Sequence, residues 1–206
     1  MDSTSQVVAG LAAALQFYLS PANLCHDKVV ARYLTQQKRV PLETFLTFNQ
    51  VRDLCQDHSA LDLLKAAVPL VPGARLEGDS IAVEPEIRTQ DVDTWKKQAE
   101  RSTVYVEPVP ETCDREQLRC LFAQWGEVVY ISLPKFSETH IVKGFAFVQF
   151  RSHLAARAAV ALSGSDAFGT GKLIQVLPKA AWKDYKPRFA ALQQRIQALL
   201  HSNRSS

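Results

Sequence analysis

The run Lys143-Gly144-Phe145-Ala146-Phe147-Val148-Gln149-Phe150 constrains this chain more than any other stretch. Successive side chains of a strand point to opposite faces, so Ala146, Val148 and Phe150 take one face while Phe145 and Phe147 take the other. The first set suits a core. The second leaves two aromatic rings on the far side, where they offer flat faces on which unpaired bases stack at about 1–3 kcal/mol per base. The plainer reading is a strand buried on both faces. A second segment, Val104-Tyr105-Val106-Glu107-Pro108-Val109, argues against that reading, because it again turns valines inward and one ring, Tyr105, outward.

The residues between and after these segments complete a βαββαβ order. Asp114 caps a helix whose Leu118, Leu121, Phe122 and Trp125 recur at helical spacing, with Gly126 ending it. Val128 to Leu133 reads as a strand, Leu154 to Leu162 as a second helix, and Leu173 to Leu177 as the fourth strand. In this order the two aromatic strands lie side by side in the sheet, Tyr105 next to Phe147. The octamer and its partner resemble the paired signature strands of the RNA-recognition motif, over residues 102–178. That resemblance implies base contacts from Tyr105, Phe145 and Phe147.

Residues 1–85 have a different rhythm. Val7, Leu11, Leu15 and Tyr18 step along a helix stopped by Ser20-Pro21. Asn23 begins a new element, and Val29, Val30, Tyr33 and Leu34 predict a second helix. A third runs from Pro41 through Leu42, Phe45 and Leu46, and a fourth covers Val51 to Val68, interrupted near His58-Ser59. Leu76 and Ile81-Ala82-Val83 then flank Glu77-Gly78-Asp79 as a hairpin. Helices closed by a hairpin are the order of a winged helix, so the expected class is α+β: a winged helix, a charged linker over residues 86–101, a ferredoxin-like RNA-recognition fold, and a basic tail over residues 179–206.

Phe17-Tyr18, Asn23-Leu24 and Asp27-Lys28, followed by Phe45-Leu46-Thr47-Phe48-Asn49, resemble the La motif that La and La-related proteins place before an RNA-recognition motif. Thr103 to Glu107, Gly126 to Pro134 and Lys143 to Phe150 resemble the branch of that family that holds 7SK small nuclear RNA or telomerase RNA. The resemblance implies a nuclear protein that grips and protects the uridylate-rich three-prime ends of polymerase III small RNAs. It implies that Phe17 and Tyr18 stack on terminal bases with Phe48 beneath them, that Asn23 belongs to the same site, that Asp27 reads the last ribose, and that Ile131 touches the penultimate base. Three positions depart from the family pattern: Ala14 replaces a glutamine, Val29 an aromatic ring, and Ser20-Pro21 a Gly-Asp pair. They imply a looser grip on the uracil edge. A generic single-strand binder, or a protein-interaction module, is the alternative.

Charge does not announce a nucleic-acid binder. The chain carries 24 basic and 21 acidic residues, and the surplus lies in the last 28 residues, with six basic side chains and one acidic. RNA affinity in the body therefore has to come from stacking and local patches. Cys25, Cys55, Cys113 and Cys120 read as reduced, mostly buried thiols; Cys55 and His58 have ligand-like spacing, but no second pair completes a metal site. Gly169-Thr170-Gly171-Lys172 lacks the leading glycine and the hydroxyl of a phosphate loop. No cofactor, catalytic group or membrane span is expected. In the tail, Trp182, Tyr185, Phe189, Leu192, Ile196 and Leu199 form an apolar stripe on a helix expected over residues 182–201. This helix is expected to lie beside or beneath the sheet, with ribonucleoprotein partners as its further contacts.

Overall fold

Apolar residues at three- and four-residue steps make α1 (Ser3–Tyr18) a helix with Leu11, Ala14 and Leu15 fully buried. The structure, a computed structural model, describes residues 3–55, 59–187 and 191. The Ser20 hydroxyl accepts from the Asn23 amide and caps α2 (Pro21–Leu24), a single turn. Asp27 caps α3 (Lys28–Gln37), and Lys38, at φ 64°, ends it. The chain then enters β1 (Arg39–Pro41), a strand too short to show any alternation in sequence. The stretch expected as one interrupted helix forms two, α5 (Asn49–Leu54) and α6 (Ala60–Ala67), after the short α4 (Leu42–Phe45); His58 lies outside the described residues. The hairpin of β2 (Ala74–Glu77) and β3 (Ser80–Val83) pairs through β3 with β1, giving the sheet order β1-β3-β2.

The chain divides into two compact units, residues 1–96 and 97–206. The charged segment read as a linker forms α7 (Thr89–Arg101), and its Val92 and Trp95 pack on the core of the first unit. In the second unit, β4 (Thr103–Glu107), α8 (Arg115–Phe122), β5 (Val128–Ser132), β6 (Ala146–Phe150), α9 (His153–Ala159) and β7 (Gln175–Pro178) follow in the expected βαββαβ order. The sheet order is β5-β6-β4-β7, all antiparallel, and Tyr105 stands directly opposite Phe147. A capping box starts α8: the Asp114 carboxylate accepts from the Gln117 amide at 2.7 Å, and the Gln117 side chain accepts from the Asp114 amide at 3.0 Å. Leu118, Phe122, Val104, Val106, Val148 and Phe150 form the centre of the core between the helices and one sheet face. The aromatic face is the other one.

Gly126, at φ 148°, lets the chain turn from α8 into β5 beneath α9, where a Cβ would meet that of Ala155 at 2.8 Å. Gly126→Ala is therefore expected to destabilise the second unit by about 1–3 kcal/mol, through forced displacement of α9. An unchanged urea midpoint would show that the two elements are not in close contact.

Candidate nucleic-acid interface

Two elements of the first unit bring the three expected stacking rings together. Phe17 and Tyr18 close α1, with ring centroids 5.4 Å apart and edge to face. Phe48, at the N-terminal boundary of α5, comes within 4.5 Å of the Tyr18 ring and 5.8 Å of Phe45. Phe45 is fully buried and anchors the group, while Phe17 is 37% exposed. The Phe17 ring is thus open to solvent and held by Tyr18 beside it.

Asn23 connects this group to Asp27, although it does so from inside the protein. Its side-chain amide donates to the Tyr18 carbonyl at 3.0 Å, and its own carbonyl accepts from the Asp27 amide at 2.9 Å. At 6% exposure its side chain is spent inward, so Asn23 is a positioning residue and not the RNA contact that the resemblance implied. Asp27 Oδ1 accepts from the amides of Val29 and Val30 at 2.9 and 3.1 Å. Both bonds end on one oxygen, which leaves Oδ2 for a ligand. Asn23→Ala is expected to cost about 1–3 kcal/mol of stability, because the Tyr18 carbonyl loses its buried donor. Urea denaturation checks this; a loss of RNA affinity without loss of stability would instead make Asn23 a contact.

In the second unit the sheet face differs from expectation in two ways. Ile131, read as a base contact, is 5% exposed and lies on the core face opposite Val148. The reason is a bulge: the register shifts between Val128 and Tyr130, so Val128 and Ile131 both reach the core despite their odd spacing. Tyr105, read as an open stacking ring, is 6% exposed. Residues 179–187 turn back as a helix, and Trp182 stacks on Tyr105 at 5.4 Å and 29° while meeting Phe147 edge-on at 4.8 Å. Through Trp182 the described part of the tail, residues 179–187, thus meets the aromatic face, where a place beside or beneath the sheet was expected. The Lys179 ammonium sits 5.5 Å from the Phe147 ring and that of Lys186 5.1 Å from Trp182, and Lys183 pairs with Glu100 at 2.7 Å. Phe189, Leu192, Ile196 and Leu199 lie outside the described residues.

Burial, reinforced by Glu107, pushes the Tyr105 phenol far above its ordinary range, so the hydroxyl stays protonated and donates to Glu107 at 2.5 Å. Phe145 and Phe147 remain half-buried, 5.7 and 5.5 Å from Tyr105.

A family model described as the RNA recognition motif matches residues 104–171. La-related protein 7 of Danio rerio is 26% identical over 194 residues, covering 91% of this chain and 33% of its own length. La-related protein 7 of Mus musculus is 30% identical over 157 residues, covering 75% of this chain and 26% of its own. Over most of its length the chain is similar to La-related proteins. It carries an RNA recognition motif in its second unit, and it spans about a third or less of the length of these relatives. Among solved structures, one described as the RNA15 RRM aligns over 37% of this chain and 86% of its own at 25% identity, with a TM-score of 0.35.

Two of the positions that depart from the La pattern differ in burial: Ala14 is fully buried in α1 and has no side-chain donor, and Val29 is exposed. The glycine-rich turn is no anion cradle, because the Asp166 carboxylate already accepts from the amides of Thr170 and Gly171 at 2.9 and 2.8 Å. Of the cysteines only Cys113 is buried, with its thiol pushed up by burial; Cys120 is exposed and Cys25 and Cys55 are intermediate. Among the described residues no group of acidic, cysteine and histidine side chains is arranged to hold a metal ion, and no helix is long and apolar enough to cross a membrane.

Proposed function

We propose that this protein holds the uridylate-rich three-prime end of a polymerase III small RNA, of the kind represented by 7SK or telomerase RNA. One observation carries the reading: Phe17, Tyr18 and Phe48 form a single aromatic group, and Asn23 ties its backbone to the carboxylate-bearing residue Asp27. Terminal bases stack on the rings, and the Asp27 carboxylate accepts from the hydroxyls of the last ribose, a charge-assisted contact. A nuclear address belongs to the same reading. Sequencing the RNA that copurifies with the protein tests it: a pool ending in uridylates is the expected result.

Ala14 and Val29 favour a second reading, in which the pocket survives as a stacking site with little preference for uracil. Each removes one of the contacts by which a base edge or wall is recognised. A copurified pool with mixed three-prime ends would select this reading.

A further inference from the structure

The helix that Asp27 caps carries two cations that neither the fold nor the end pocket uses. Lys28 and Arg32 are both exposed on α3. Four residues apart, they share one helix face, with about 5–6 Å between their Cβ atoms. Elsewhere in the first unit, Lys38, Lys65, Arg75, Arg88 and Lys96 are each spent on a carboxylate. Among the described residues Lys28 and Arg32 form no ion pair, and the Arg32 guanidinium lies 6.0 Å from the centroid of the neighbouring Tyr33 ring.

The helix gains nothing from this placement. A cation in the first turn faces the positive end of the helix dipole, and like charges four residues apart repel. Residues Lys28–Gln37 include no acidic side chain to offset them, and the nearest acid along the chain is Asp27 itself. Position decides what such a pair suits. Lys28 follows Asp27 directly, and Arg32 lies about 6 Å further along the helix axis. A strand whose last ribose meets Asp27 brings its nearest phosphodiesters to the same neighbourhood. Phosphate contacts fix register without reading sequence, so they add grip that the side chains of Ala14 and Val29 do not supply.

We infer that Lys28 and Arg32 hold the RNA backbone through the phosphates just five-prime of the terminal ribose. The inference rests on the proposed end reading by Asp27.

The test measures the equilibrium affinity of the full chain for a short uridylate oligomer with a free three-prime hydroxyl, over a series of salt concentrations. Lys28→Gln and Arg32→Gln are each expected to flatten the slope of log affinity against log salt by about 0.7, and the double variant by about 1.4. Replacing the two linkages nearest the three-prime end by uncharged methylphosphonates is expected to weaken binding by the unchanged protein roughly three- to tenfold. The double variant should change by less than about twofold on the same replacement, because the partners of those charges are already gone. An unchanged slope in the double variant, or an equal methylphosphonate loss in both proteins, would overturn the grip and leave the pair to an acidic protein segment. A lowered urea midpoint in the variants would also overturn it, by making the cations part of the fold. Failure of the end reading looks different: oligomers ending in a free hydroxyl and in a three-prime phosphate would bind equally, while both variants still flatten the slope.

Discussion

Trp182→Ala is expected to raise the affinity of the protein for a uridylate oligomer whose three-prime end is blocked by phosphate. Under the proposed end reading, blocking the end removes the contribution of Asp27 and so lowers the share of the first unit in the affinity measured. In the resting fold a base that would stack on Tyr105 finds Trp182 already there, stacked at 5.4 Å and also edge-on to Phe147 at 4.8 Å. Each such aromatic pair contributes about 0.5–1.5 kcal/mol beyond the area it buries. An affinity that depends on a fractionally populated open state is reduced by that fraction. Deleting two such contacts therefore raises affinity by roughly five- to hundredfold. Adding Tyr105→Ala to Trp182→Ala should then remove the gain, since the uncovered ring is what the base uses. Weaker binding by Trp182→Ala alone would mean that the tryptophan is itself a base contact.

The competition follows from one ring that sequence reading put in a different place. Trp182 was legible as part of an amphipathic helix, but a stripe of apolar residues does not say which surface it covers. Helical periodicity fixes which side chains share a face; the choice of partner depends on tertiary packing. The sheet face shows the converse. Alternation along Lys143 to Phe150 correctly separates Ala146, Val148 and Phe150 from Phe145 and Phe147, and the strand order brings Tyr105 opposite Phe147 as expected. At Ile131 the family resemblance implied a base contact, and a bulge, which has no signature in single-residue hydropathy, turns the side chain to the core.

The first unit was legible to a similar depth. Helical steps found α1 and α3, and turn residues found the β2–β3 hairpin. What escaped was β1, three residues long and paired with a strand about forty residues later, and the inward turn of Asn23. A polar residue near a binding motif reads as a contact in sequence. Only its hydrogen bonds show that it instead holds Tyr18 and Asp27 in register.

In the proposed function the three-prime end is read by Asp27. An ionised carboxylate only accepts hydrogen bonds, so it suits the two free hydroxyls of a terminal ribose and repels a terminal phosphate. Hydrogen bonds to a charged group contribute about 1.5–3 kcal/mol, which corresponds to roughly one to two powers of ten in affinity. Because Asp27 also caps α3 through Oδ1, alanine would confound binding with helix stability. Asparagine keeps the cap acceptor and removes only the charge. The decisive measurement is the equilibrium affinity of the full chain, and of Asp27→Asn, for a short uridylate oligomer ending in a free hydroxyl or in a three-prime phosphate. The unchanged protein is expected to prefer the hydroxyl end by about tenfold or more, and Asp27→Asn to lose most of that preference. Equal affinity of the unchanged protein for the two oligomers would contradict it.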